Sequence, residues 1–380
     1  MMMSIFRKAH AFLLLIVGVL LTASCRSTMN EGTHPMVMTT AMEYAELLQM
    51  EDVGEGRTLC RILDPWRSGR TMVQYLLVPK SDTISNSTLS AQYGESVVLR
   101  TPLQHMTLTT ACHTWLMSQL EALDKVAVLC DTMFVNAPAV RSWMRSKKDD
   151  GRPQVLDAGT ATAPNIEVLL TGRSDAIWIS PYENANLGNL DKLQIPIIYC
   201  AEYMENSPLA RAEWMRFYGR LVGKSHEADS LFARVSTRYE SLAKRSHKGQ
   251  SLLVDLPYGA SWYVPGGRSN SALLYADAGY DYPWSDDTHS GSLSLSKEAV
   301  LAKAQTCELW LIRYMDSSHD WTLEELKAQN PLFLKFKAAQ EGNVWGCNTA
   351  RSDFFDVVSF RPDSLLESLI RMDGAFYRRM

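Results

Sequence analysis

The strongest constraint on this chain is an alternation that occurs twice and is interrupted once. From His105 to Tyr199, and again from Leu252 to Trp345, short apolar strands take turns with helical segments. In the first stretch, residues 126–129, 176–179 and 196–199 read as strands, with helices expected over 110–123, 138–147 and 164–170. In the second, strands are expected at 252–254, 262–264, 309–312 and 343–345. Helices are expected over 269–278, 296–303, 322–327 and 331–338, with a closing helix over 362–371. Strands that alternate with helices imply parallel βαβ units. Residues 207–248 break the pattern. Trp214, Phe217 and Leu221 share one helical face, and after Gly223 the residues Ala228, Leu231, Phe232, Val235, Tyr239 and Leu242 follow at helical spacing. This predicts an α/β protein of two lobes with a long, rigid helical connector between them. The expected division is a leader over 1–24, a tether over 25–54, an N-terminal α/β lobe over 55–206, linker helices over 207–248 and a C-terminal α/β lobe over 249–380. Within the first lobe, a hairpin over 57–79 and a short strand near 96–99 precede the alternation.

The N-terminus has the pattern of an export signal. Arg7 and Lys8 precede an apolar run from Ala11 to Leu21, too short to span a bilayer comfortably, followed by Leu21-Thr22-Ala23-Ser24-Cys25. Cys25 after small residues resembles the lipobox of bacterial lipoproteins. That resemblance implies lipidation of Cys25 and attachment to a membrane through the anchor only. No acidic run follows Cys25, so a periplasm-facing anchor in the outer membrane is expected. The net charge of -4 offers no basic field for nucleic acid. The six remaining cysteines, at 60, 112, 130, 200, 307 and 347, contain no C-x-x-C pair. No metal site is expected from that spacing; export permits disulfides but no bridge is assigned, and most of the cysteines sit in apolar stretches where a buried thiol suffices.

Chemical motifs are absent where an enzyme would carry them. The sequence has no G-x-S-x-G elbow, no phosphate-binding P-loop and no H-E-x-x-H pair. Aromatic residues in post-strand loops are more informative, because such loops edge the ligand crevice of open α/β sheets. Tyr258 to Arg268 is a Gly/Pro-rich stretch carrying three rings and a guanidinium; Pro181-Tyr182-Glu183 and Trp284-Ser285-Asp286 are further candidates. Tyr182, Trp262, Tyr263, Arg268 and Trp284 are the expected ligand wall, rings giving flat apolar contact and arginine pairing with anionic groups. There is also an internal echo. Glu167-Val168-Leu169-Leu170 leads to Ile177-Trp178-Ile179, and Glu298-Ala299-Val300-Leu301 leads to Leu309-Trp310-Leu311. Each half thus carries an acid in the first turn of a matching helix, a position the helix dipole favours.

These segments resemble the substrate-binding proteins of ABC importers for ferric siderophores, haem and cobalamin, the class III binding proteins with a helical backbone. The similarity rests on Pro164 to Leu170 with Ser174 to Ile179, on Pro208 to Trp214, on Trp262 to Gly267, on Leu295 to Val300 and on Phe360-Arg361-Pro362-Asp363. The resemblance implies an α/β fold with two Rossmann-like lobes joined by a single long α-helix and a ligand cleft between the lobes, and a non-enzymatic carrier, a monomer without a resident cofactor. Its ligand would be an iron chelate, haem or corrinoid, and its partner the importer's permease and ATPase. Glu167 and Glu298 match the surface acids, one per lobe, that meet arginines of the permease in that family; a Tyr or His at the cleft would be a direct ligand to haem iron. Two other readings stay open: a periplasmic hydrolase or chelatase with His113, Asp131 and Glu183 converging at the lobe junction, and a haem scavenger without a transport role.

Overall fold

In a computed structural model of the chain, residues 42–184, 188–244, 249–372 and 374–380 are described. The leader, Cys25 and most of the expected tether lie outside them. Two sheets organise the protein. The first has the strand order 197–199, 176–179, 106–108, 126–129, 156–157, all parallel. In the second, Leu252–Val254, Leu309–Tyr314 and Val344–Asn348 run parallel, and Arg378–Arg379 closes the edge antiparallel. The central strands are apolar along nearly their whole length because helices cover both faces; in Leu309–Tyr314 only Arg313 is not buried. Helices begin where the sequence supplies a cap. Asn165, Ser207, Ser269, Ser296 and Thr322 each accept main-chain N–H groups of the first turn.

Helices fill the segment between the lobes. It consists of Pro208–Glu213, Met215–Val222 and the 19-residue helix Ser225–Ala243. Gly223, at φ 73°, turns the chain so that the last two helices pack on each other. Their approach is close at Gly219, where an added Cβ would stand 2.4 Å from the Ala228 Cβ. The longest helix also packs on Pro362–Arg371 of the second lobe. The halves are therefore not separate cores held apart by a spacer. One buried apolar cluster runs through both. Tyr218 stacks on Trp178 of the first lobe at 4.7 Å and meets Phe360 of the second edge-on at 5.9 Å.

The expected tether over 25–54 also ends earlier than its low-complexity appearance implies. Leu48–Asp52 is a strand, paired antiparallel with Thr58–Leu63 in a four-stranded sheet completed by Thr71–Pro79 and Val97–Thr101. That sheet is fastened to the first lobe by Tyr75, whose hydroxyl donates to the Ile197 carbonyl at 2.8 Å and accepts the Tyr199 N–H at 2.9 Å. Residues 43–47 lack regular structure but are held by two buried carboxylates of the linker region. Glu213 accepts the N–H groups of Glu43, Tyr44 and Ala45 at 2.8–2.9 Å. Glu205 accepts those of Glu46 and Leu47 and the Trp214 indole N–H. Glu213→Gln retains one acceptor oxygen but turns a donor toward other donors. It is expected to cost about 1–3 kcal/mol and to expose residues 42–47 to limited proteolysis; an unchanged cleavage rate would contradict the anchoring role.

Candidate functional site

The strands of both lobes end at a shared boundary. Thr109 and Thr110 follow Met106–Leu108, Asp131 follows Val126–Leu129, and the short helix Phe354–Val357 follows Val344–Asn348. Together with Ala111, Cys112, Phe134, Phe355 and Val358, these residues line a cavity of about 280 Å³. It lies beyond the carboxyl ends of the strands, where parallel sheets leave a crevice between divergent loops. Phe134 of the first lobe meets Phe355 of the second edge-on across it at 6.1 Å. Phe355 and the neighbouring Met133 are exposed apolar side chains, so the mouth of the cavity is greasy.

A buried carboxylate next to Phe355 in the chain bridges the two lobes. Asp356, fully buried on the second lobe, accepts the Asn136 and Ala137 N–H groups of the first at 2.8 and 3.1 Å through one oxygen. Asn136 reciprocates by donating to the Thr349 carbonyl at 3.0 Å. The second Asp356 oxygen, Oδ1, is buried without a hydrogen-bond partner. Burial pushes the Asp356 carboxyl up to about 6, against the opposing pull of the two amides.

Beneath the cavity lies a polar cluster that the sequence spacing did not reveal. No metal site was expected, because no two cysteines are close in sequence; the fold instead gathers Cys112 and His113 with Glu202, their donor atoms within 4.8 Å of one another. Cys112-His113 opens the helix Ala111–Gln119 and Glu202 begins the turn after the strand Ile197–Tyr199. Thr110 stands at the N-cap position, but its hydroxyl bonds the His113 Nδ1 rather than a main-chain N–H. Burial alone would raise the Glu202 carboxyl. The His113 ring, Arg211 and the Tyr218 hydroxyl outweigh burial and hold it below the ordinary range.

The expected ligand wall is not assembled. Trp262 is fully buried; its indole N–H donates to the Val254 carbonyl at 3.1 Å and its ring packs on Trp310 and Phe336. The strand Ser261–Pro265 alternates inward and outward, so Trp262 and Tyr263 point to opposite faces and cannot line one pocket together. Trp284 is also buried, against Tyr282, with the Lys303 ammonium 5.6 Å from its ring. Gly266 and Gly267 serve packing: a Cβ on either would lie within 2.4 Å of a carbonyl oxygen of the 285–291 loop. Tyr263 and Arg268 are exposed and line no part of the inter-lobe cavity. Tyr182 borders a separate cavity of about 320 Å³ in the first lobe with Pro164, Ile179 and Tyr199. His113, Asp131 and Glu183 do not form a cluster either. His113 is enclosed in the core beside Glu202, and Glu183 is exposed. Glu167 and Glu298 stand exposed on the first turns of Ile166–Gly172 and Lys297–Ala304. The six described cysteines are free and buried, and no helix among the described residues is long and apolar enough to cross a membrane.

Against known proteins, the family profile described as periplasmic binding protein matches residues 118–349, more than half of the chain. The chain belongs to the periplasmic binding protein family. This is a family of binding proteins, and its two-lobed α/β fold is the one seen here. Among solved structures, a periplasmic heme binding protein from Pseudomonas aeruginosa is similar with a TM-score of 0.54 at 16% identity, over 71% of this chain and 92% of that one. A protein of an ABC-type Fe3+-hydroxamate transport system from Saccharomonospora viridis gives 0.53 at 17% identity, over 72% and 93%. A periplasmic vitamin B12 binding protein of Vibrio cholerae gives 0.51 at 15%, over 71% and 96%. At these identities the likeness concerns the fold. An uncharacterized lipoprotein of Methanocaldococcus jannaschii is 23% identical over 361 residues, covering 91% of this chain and 84% of that protein. The structural matches leave over a quarter of this chain unmatched.

Proposed function

We propose that this family member is the lipid-anchored, substrate-binding component of an ABC importer, taking an iron complex, haem or a corrinoid between its lobes. The observation that carries the reading is the cavity at the carboxyl ends of two parallel sheets, walled by Phe134 and Phe355 and bridged by Asp356. Nothing in that cavity demands chemistry; rings and hydroxyls provide contact and orientation. Its volume of about 280 Å³ is at or below the range of about 300–1,000 Å³ usual for small-molecule pockets. Admitting a haem-sized ligand therefore requires the lobes to part, breaking the ring contact and the Asp356 bridge. Acylated Cys25 would hold the carrier at the periplasmic face of the outer membrane. Absorbance spectra and calorimetric titrations of the purified protein with haemin, a ferric siderophore and cobalamin test the reading. Saturable binding of one class is expected, and no binding of any would overturn it.

Glu167 and Glu298 are proposed as the contacts to the permease, one per lobe. Both acids are exposed and occupy the same place in corresponding helices, the arrangement a two-lobed carrier needs on a two-fold partner. Exposed charge pairs add little affinity but set orientation and encounter rate. The double variant Glu167→Ala/Glu298→Ala is expected to bind ligand like wild type while uptake falls. A matching loss of ligand affinity would remove the acids from the docking surface.

A further inference from the structure

We infer that Cys112, His113 and Glu202 form a site for a divalent transition ion of zinc-like preference beneath the inter-lobe cavity. The three donor atoms lie within 4.8 Å of one another, and a small closing movement brings them onto one ion with bonds of about 2.0–2.3 Å. One thiolate, one imidazole and one carboxylate suit zinc or cobalt rather than calcium or magnesium, which seek several oxygens.

Three observations point to a ligand rather than to a plain ion pair. The His113 Nε2 is fully buried and has no hydrogen-bond partner. It lies 3.3 Å from a Glu202 oxygen but without the alignment of a hydrogen bond. Two of the three donor groups are also fixed through their remote atoms, and the Cys112 sulfur lies 3.3 Å from the Thr110 hydroxyl. His113 Nδ1 is engaged by the Thr110 hydroxyl, and with the proton on Nδ1 the Nε2 lone pair is free. The second Glu202 oxygen accepts from the Tyr218 hydroxyl at 2.8 Å. Finally, Cys112 lines the inter-lobe cavity, so the ion has an entry route and a coordination position open toward that cavity. Three protein donors and one open position are the pattern of a zinc site that takes an exogenous ligand.

Binding is balanced in charge. The Cys112 Sγ–H releases its proton to solvent as the sulfur–metal bond forms, leaving thiolate and carboxylate against the two positive charges of the ion. Because the ion displaces the thiol proton, affinity falls as the pH is lowered.

The test is titration of chelator-treated protein with Co2+ and Zn2+. One equivalent of Co2+ is expected to give an intense near-ultraviolet thiolate charge-transfer band. Cys112→Ser should abolish that band and weaken Zn2+ binding at least tenfold; Tyr218→Phe, acting on the Glu202 partner, should weaken it about tenfold. X-ray absorption on zinc-loaded wild type avoids any folding defect of the variants. One sulfur scatterer at about 2.3 Å is expected. A shell of nitrogen and oxygen alone, or a Cys112→Ser protein that binds Zn2+ as tightly as wild type, would overturn the inference. Because the probe is the metal alone, these outcomes are read separately from the haemin, siderophore and cobalamin titrations that judge the carrier reading.

Discussion

Replacing Trp262 with alanine is expected to destabilise the protein by about 3–5 kcal/mol and to leave ligand affinity unchanged. The indole sits at the centre of a cluster with Trp310, Phe333 and Phe336, none of its surface exposed, and its N–H satisfies the Val254 carbonyl. Truncation removes one of the two indoles of that cluster, opens a cavity the rigid sheet cannot fill, and leaves a carbonyl without its donor. Denaturant unfolding measures the first effect and ligand titration the second. A stable variant with weakened binding would return Trp262 to the ligand wall.

Asp356 is expected to control the closure of the cleft. Asp356→Ala removes the acceptor for two buried N–H groups, each left unpaired at about 1–3 kcal/mol, so the closed arrangement of the lobes is expected to lose several kcal/mol. Asp356→Asn behaves differently. The native carboxyl is raised from 3.8 to about 6 by burial, so the closed protein holds a proton that the open or unfolded chain releases. The stability this group contributes is fully present below about pH 4, and it is lost as the pH rises through about 6. A shift of that size corresponds to about 3 kcal/mol. Asparagine keeps one acceptor oxygen and cannot ionise. The advantage of wild type over Asp356→Asn is therefore expected to shrink or reverse between about pH 4 and about pH 7. Paired thermal melts across that range check it, and a difference independent of pH would show that Asp356 does not titrate there.

Much of the plan was legible because it depends on local patterns. Continuous apolar runs such as Leu309–Tyr314 mark strands covered on both faces, and Asn165 and Ser296 mark the starts of the two acid-bearing helices. Trp178 and Trp310, read as an internal echo, are both fully buried in corresponding strands. The misreadings have equally physical origins. Residues 43–47 carry no periodic signal because their order comes from Glu205 and Glu213, some 160 residues away in sequence. Trp262 and Tyr263 are neighbours in sequence but the strand's two-residue period puts them on opposite faces, and the alternation of Trp262 and Val264 marks the inward one. Gly266-Gly267 looked like a loop made for a ligand, but the glycines admit the backbone of the 285–291 loop. The cavity itself has no motif, because Thr109, Asp131 with Phe134, and Phe355 arrive from three separate segments. Cys112-His113 was the only local hint of the cluster below it, and its third member follows another strand.

Amide hydrogen exchange with and without bound ligand addresses the central claim most directly. If the gap between the lobes receives the cargo, whichever of haemin, ferric siderophore or cobalamin binds should slow exchange on both walls at once, in residues 109–112 and 131–137 and in residues 354–358. Protection confined to the 258–268 loop, or to a single lobe, would contradict it.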